Sequence, residues 1–86
     1  MKDSNFIDKL VSEGKIHTAA WICKTRGELF NDPEYYNKAG EIFESIYKNL
    51  IESKNEEAIH YLEHAIECYI NANNKEKAES LRLYRR

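Results

Sequence analysis

The chain has 86 residues, 42% of them hydrophobic and 33% charged, with one proline and three glycines. That balance excludes a disordered chain, and a polypeptide this short buries only about 60–65% of its unfolded surface, enough for one core and not for a second. Thirteen basic against fifteen acidic side chains leave a net charge of -2, so no global field draws the protein to nucleic acid or to an anionic membrane.

Helical punctuation is legible from the start. Asp3 or Ser4 can cap a short helix over 4–13 with Phe6, Ile7, Leu10 and Val11 on one side. Gly14 can close it, because glycine takes the left-handed conformation of a helix end without a Cβ penalty. A second helix is predicted over 15–30, its apolar arc made by Ile16, Ala19, Ile22, Cys23 and Phe30. Asn31-Asp32-Pro33-Glu34 is the sharpest boundary: Asp32 can cap, Pro33 suits a first helical position that needs no N–H, and Glu34 suits the positive end of the dipole.

The third helix, over 33–52, carries Tyr35, Tyr36, Ala39, Ile42, Phe43, Ile46, Tyr47, Leu50 and Ile51 on one half of its circumference. Half a circumference is more than one neighbour requires, so this helix is expected at the centre, between two others. Ser53 to Glu57 offers an S-x-x-E capping box for a fourth helix over 56–72, with Ala58, Ile59, Leu62, Ala65, Ile66, Tyr69 and Ile70 on its core arc. Asn73-Asn74 breaks the chain again, and a last helix over 75–86 turns Ala78, Leu81 and Tyr84 inward. No stretch alternates as a strand does. The expected fold is all-α, four to five helices in a single domain spanning 1–86, stacked as antiparallel hairpins or as a small helical bundle.

Ala20, Ala39, Ala58 and Ala78 recur at spacings of 19, 19 and 20, each near the start of an apolar stripe. Two such helices make a hairpin of about 38–40 residues, a length typical of helical solenoid repeats. Ala58-x-x-x-Leu62-x-x-Ala65 resembles the second-helix pattern of a tetratricopeptide repeat. Tyr69, nine residues before Ala78, resembles that family's step from first-helix tyrosine to second-helix alanine. The likeness covers about residues 33–86, and it implies binding of a peptide or another helical protein without chemistry of the repeat's own.

Cys23 and Cys68 stand in a chain whose first residues, MKDSNFIDKL, lack the apolar core of a signal peptide. Free thiols in a reducing, cytoplasmic setting are therefore expected. No run approaches the ~18 consecutive apolar residues of a membrane span, and no membrane partner is expected.

His60 to His64 reads HYLEH, the H-x-x-E-H order that places two zinc ligands and a glutamate on one helix in inverted zinc peptidases. On the wheel His60, Glu63, His64 and Glu67 share the face opposite the core, with Cys68 at its margin, so His60, His64 and Cys68 could form a metal stripe. A peptidase also needs a third ligand, an open coordination position and a dry cleft, and the nearest spare carboxylates, Glu57 and Glu67, lie on the same helix. A solvated polar face, with no catalytic residue, metal or cofactor, is the expectation. Pairing Cys23 or Cys68 with His17 as a nucleophile is no better founded, because Cys23 lies on an apolar arc.

Trp21 falls off the main arc of the second helix, among Lys24, Thr25 and Glu28. Either the N-terminal helix covers it with Phe6, Ile7 and Leu10, or it stays exposed. Tyr61 and Leu83 also leave their arcs. Ten aromatic residues are more apolar area than a small core hides easily, and exposed patches of this kind mark interaction surfaces. Trp21, Tyr61 and Leu83 are therefore the expected contacts to a partner, either another protein or a second copy, as in a homodimer. The alternative is a basic tip. The last twelve residues hold five basic and two acidic side chains, and Lys75, Lys77, Arg82, Arg85 and Arg86 with Tyr84 could hold a phosphate and stack a base, although the same residues also complement a helix C-terminus.

Overall fold

Each helix connection turns on one residue in the left-handed region: Gly14 (φ 82), Asn31 (φ 49), Lys54 (φ 57) and Asn73 (φ 62). At Gly14, Lys54 and Asn73 the turn is a Schellman motif, in which that residue's N–H bonds three residues back and the following N–H five back. The computed structural model describes residues 4–85, and they form α1 (Ser4–Ser12), α2 (Ile16–Phe30), α3 (Pro33–Glu52), α4 (Ala58–Asn71), α5 (Lys75–Arg82) and a closing 3₁₀ turn, Leu83–Arg85. No strand occurs among the described residues. Asp3 and Arg86 lie outside them.

The start of α3 follows its sequence: Asp32 Oδ1 accepts the Glu34 N–H at 2.9 Å and Pro33 occupies the first turn. The start of α4 does not. Ser53 belongs to the end of α3, where its hydroxyl donates back to the Leu50 carbonyl at 3.0 Å. The expected S-x-x-E box is therefore not formed; Asn55 accepts the Glu57 N–H instead, and α4 begins at Ala58. A serine hydroxyl can reach the carbonyl three residues behind it when the preceding turn is helical, and here that contact prevails.

Each helix packs on the next, and α2, α3 and α4 do so antiparallel. Gly27 of α2 meets Tyr36 while Trp21 meets Phe43; Gly40 of α3 meets Tyr69 while Phe43 meets His64. Alternate helices touch through side chains, and α2 with α4 and α3 with α5 run parallel. Asp8 on α1 pairs with Lys38 on α3 at 2.7 Å. On α2 and α4, His17 faces Tyr61, Trp21 faces His64 and Lys24 faces Glu67. From α3 to α5 and its flanks, Asn37 bonds Asn74, Glu44 lies 3.7 Å from Lys77, and Tyr47 meets Tyr84. The helices thus form two layers, α2 and α4 in one and α1, α3 and α5 in the other. The 16 Å short dimension of the molecule matches two helices at an axial distance of about 8–10 Å.

Two large aromatic rings lie at the junction of the layers. Phe43 sits beneath the seam between α2 and α4, and Tyr69 beneath the seam between α3 and α5; both are fully buried. Around them Ile7, Leu10, Ala19, Ala20, Cys23, Ile46 and Leu62 complete the core.

Several residues expected on core arcs are exposed, and position explains each. Phe30 (64% exposed) and Ile51 stand in the last turns of α2 and α3. Ile59 lies in the first turn of α4, and Ile70 flanks the short α5 in a shallow groove with Arg82. Tyr84 was expected to point inward as a continuation of α5. The chain tightens into a 3₁₀ turn after Arg82, and at three residues per turn the phase of the helix is lost.

Candidate interaction surface

The outer side of the α2–α4 seam is built from two matched stripes. In α2, His17, Trp21 and Lys24 follow at i, i+4 and i+7; in α4, Tyr61, His64 and Glu67 follow at i, i+3 and i+6. Both spacings keep a row of side chains on one helix face. The His17 and Tyr61 rings meet edge to face at 5.4 Å, and the Trp21 and His64 rings at 4.8 Å. Lys24 Nζ lies 3.9 Å from Glu67 and 5.3 Å from the centre of the Trp21 ring.

Below these pairs, Phe43 supports both stripes. It meets Trp21 edge on at 5.1 Å, stacks with His64 at 5.3 Å and lies 6.3 Å from Tyr61. Trp21 remains 42% exposed. Its ring contacts are with Phe43 and His64, so the covering expected from Phe6, Ile7 and Leu10 is replaced by one from α3 and α4. Ile7 and Leu10 enter the core instead, and Phe6 lies against Arg26.

Of the three partner contacts expected from the sequence, the fold brings Trp21 and Tyr61 together over Phe43. Leu83 does not join them. It is 63% exposed in the closing turn beyond α5, on the other layer.

The stripe of His60, His64 and Cys68 does not form one surface. His60 is exposed, His64 turns into the seam against Phe43, and Cys68 is fully buried. A residue four places on shares a helix face, but one eight places on has drifted by about 80°, which carries Cys68 into the core. No group of three or more histidine, cysteine or acidic residues converges as a metal site among the described residues. Burial pushes the Cys23 thiol up to about 11 and the Cys68 thiol up to about 12, which leaves neither as a nucleophile at neutral pH.

His64 is the residue that wheel-reading missed. Its ring is partly buried and its Nδ1 is buried with no hydrogen-bond partner. Burial, followed by the neighbouring Lys24 charge, holds the imidazole below its ordinary value, against the pull of Glu67 and Glu63. A signal was present: Tyr61, His64 and Cys68 at i, i+3 and i+7 form a second row beside the main arc of α4.

The other seam is polar. A shallow groove of about 420 Å³ between α3 and α5 is lined by Glu44, Lys48 and Lys77 over Tyr69. Burial raises the Glu44 carboxyl, but bonds from Lys48 and Tyr69 and the charges of Lys48 and Lys77 outweigh it and leave the group below the usual carboxylate range. These charges are matched within the chain. In the basic tip, Lys77 lies over the Tyr69 ring and beside Glu44, and Arg82 bonds Glu79. Lys75 is exposed, and Tyr84, also exposed, leans on Tyr47.

The architecture defines an all-α, small helical bundle, and no helix among the described residues is long and apolar enough to cross a membrane. Comparison with family models, curated proteins and solved structures returns no match for the chain.

Proposed function

We propose that this chain is a non-catalytic protein interaction module, working as an adaptor, a small inhibitor or an assembly subunit. It docks a peptide or a helix of another protein on the α2–α4 face around Trp21. The observation that supports this reading is the Trp21 indole itself, 42% exposed while wedged against Phe43 and His64. A large aromatic held in place before binding loses little side-chain freedom on association, and tryptophan is prominent among residues that dominate interface energies. Tyr61 and His17 widen the apolar area, and the Lys24–Glu67 pair rims it. The likeness to tetratricopeptide repeats points the same way.

Binding proteins are compared for the wild-type chain and Trp21→Ala, with helix content followed by circular dichroism. Loss of about 2 kcal/mol of affinity, a factor of about 30, with an intact fold supports the site. Unchanged affinity in a folded variant rejects it. Light scattering over a concentration range then separates a second copy from a foreign partner, since only the former gives a mass that doubles with the chain alone.

A further inference from the structure

His64 is built into the seam that seats Trp21. Its ring stacks on Phe43 with planes 27° apart and meets the indole edge on, while its Nδ1 is buried and unbonded. The groups that face it are few in kind. From α2 comes the Lys24 ammonium, which already lies over the same indole; from α4 come Glu63, Glu67 and His60; α3 presents the uncharged ring of Phe43.

A neutral imidazole fits between two rings. An imidazolium would bring a second N–H donor to a position without an acceptor, next to a cation. The indole face attracts positive charge, but Lys24 occupies that role, and an unsatisfied buried donor on a charged ring is the larger effect.

We propose that His64 is a proton-operated latch for the Trp21 face: on taking up a proton it leaves its place between Phe43 and Trp21, the indole loses its seat, and docking there weakens in mildly acidic conditions. This regulation rests on reading the α2–α4 face as the docking surface. The depressed imidazole keeps the latch closed at neutral pH. The two carboxylates nearby work against it, so the direction of the His64 midpoint is a real test of which effect wins.

The experiment uses the whole chain without a partner. The His64 ring proton is titrated by nuclear magnetic resonance from about pH 8 to about pH 5, alongside emission from Trp21, the only tryptophan in the chain. The expected result is a His64 midpoint below 6.5 and a red shift of Trp21 emission with the same midpoint. That shift is lost in His64→Phe and kept in His17→Gln and His60→Gln. A midpoint at or above 6.5, emission that stays flat while His64 titrates, or a shift that survives in His64→Phe overturns the latch. The wild-type titration decides even if His64→Phe fails to fold. Because no partner is present, failure here leaves the docking surface standing, and retention of binding by Trp21→Ala would leave the latch standing as a property of the free chain.

Discussion

The ring of Tyr69 closes over Gly40 so nearly that a Cβ built on Gly40 would stand 2.9 Å from two of its carbons. The contact brings α3 and α4 together at the floor of the α3–α5 seam. Gly40→Ala gains about 1 kcal/mol of helix propensity but must displace a fully buried ring, and overpacking costs typically about 1–3 kcal/mol. A net loss of up to about 2 kcal/mol in urea unfolding is expected. Gly27→Ala should cost less, because its Cβ would meet Tyr36 at 3.0 Å, where a smaller displacement relieves the contact.

Tyr69 also donates its hydroxyl to Glu44 at 2.8 Å. Tyr69→Phe keeps the ring and removes that bond to a charged acceptor, with an expected cost of about 1.5–3 kcal/mol at neutral pH. The sign with pH follows from Glu44, whose folded value lies below its ordinary 4.5. Its contribution is complete above 4.5 and is lost as pH falls through the folded value. Wild type and Tyr69→Phe should therefore converge in stability as Glu44 protonates, which denaturation at a series of acidic pH values measures.

Lys54 holds φ 57 in an exposed turn, a conformation that costs an L-residue about 1–2 kcal/mol. Lys54→Gly removes the Cβ conflict but frees the unfolded chain by about 0.4–1 kcal/mol. A net stabilisation of about 0.5–1 kcal/mol is expected from thermal or chemical unfolding. Destabilisation by the glycine would show that the lysine side chain makes a contact worth more than the relieved conformational cost.

Cys23 and Cys68 are both fully buried with thiols pushed up to about 11 and about 12. Labelling by a thiol reagent at neutral pH should be slow in the native chain and accelerate with denaturant in step with helix loss. Rapid native labelling at either cysteine would show that its helix opens locally.

The helix ends were legible because they are local chemistry. Asp32-Pro33, Gly14 and Asn73-Asn74 act on backbone groups within a few residues, so their effect on the chain is written in the sequence beside them. The all-α class and the central place of α3 follow from periodicity for the same reason. Where two local options compete, as at Ser53, the order of residues alone did not choose between opening α4 and closing α3.

What lies on each side of a helix was decided by the tertiary structure. Ile59, Ile70 and Phe30 carry apolar side chains and stay partly exposed, because they stand near helix ends or beside the short α5, where neighbouring helices cover only part of each. His64 carries a polar one and is drawn in because α2 lies across the seam. The Trp21–His64–Phe43 contact joins three helices, and a wheel drawn for one helix contains no information about where the other two pass. Burial is a property of pairs of surfaces, so the sequence determined which helices form, and only their packing determined that the indole would stand half exposed on a histidine and a phenylalanine.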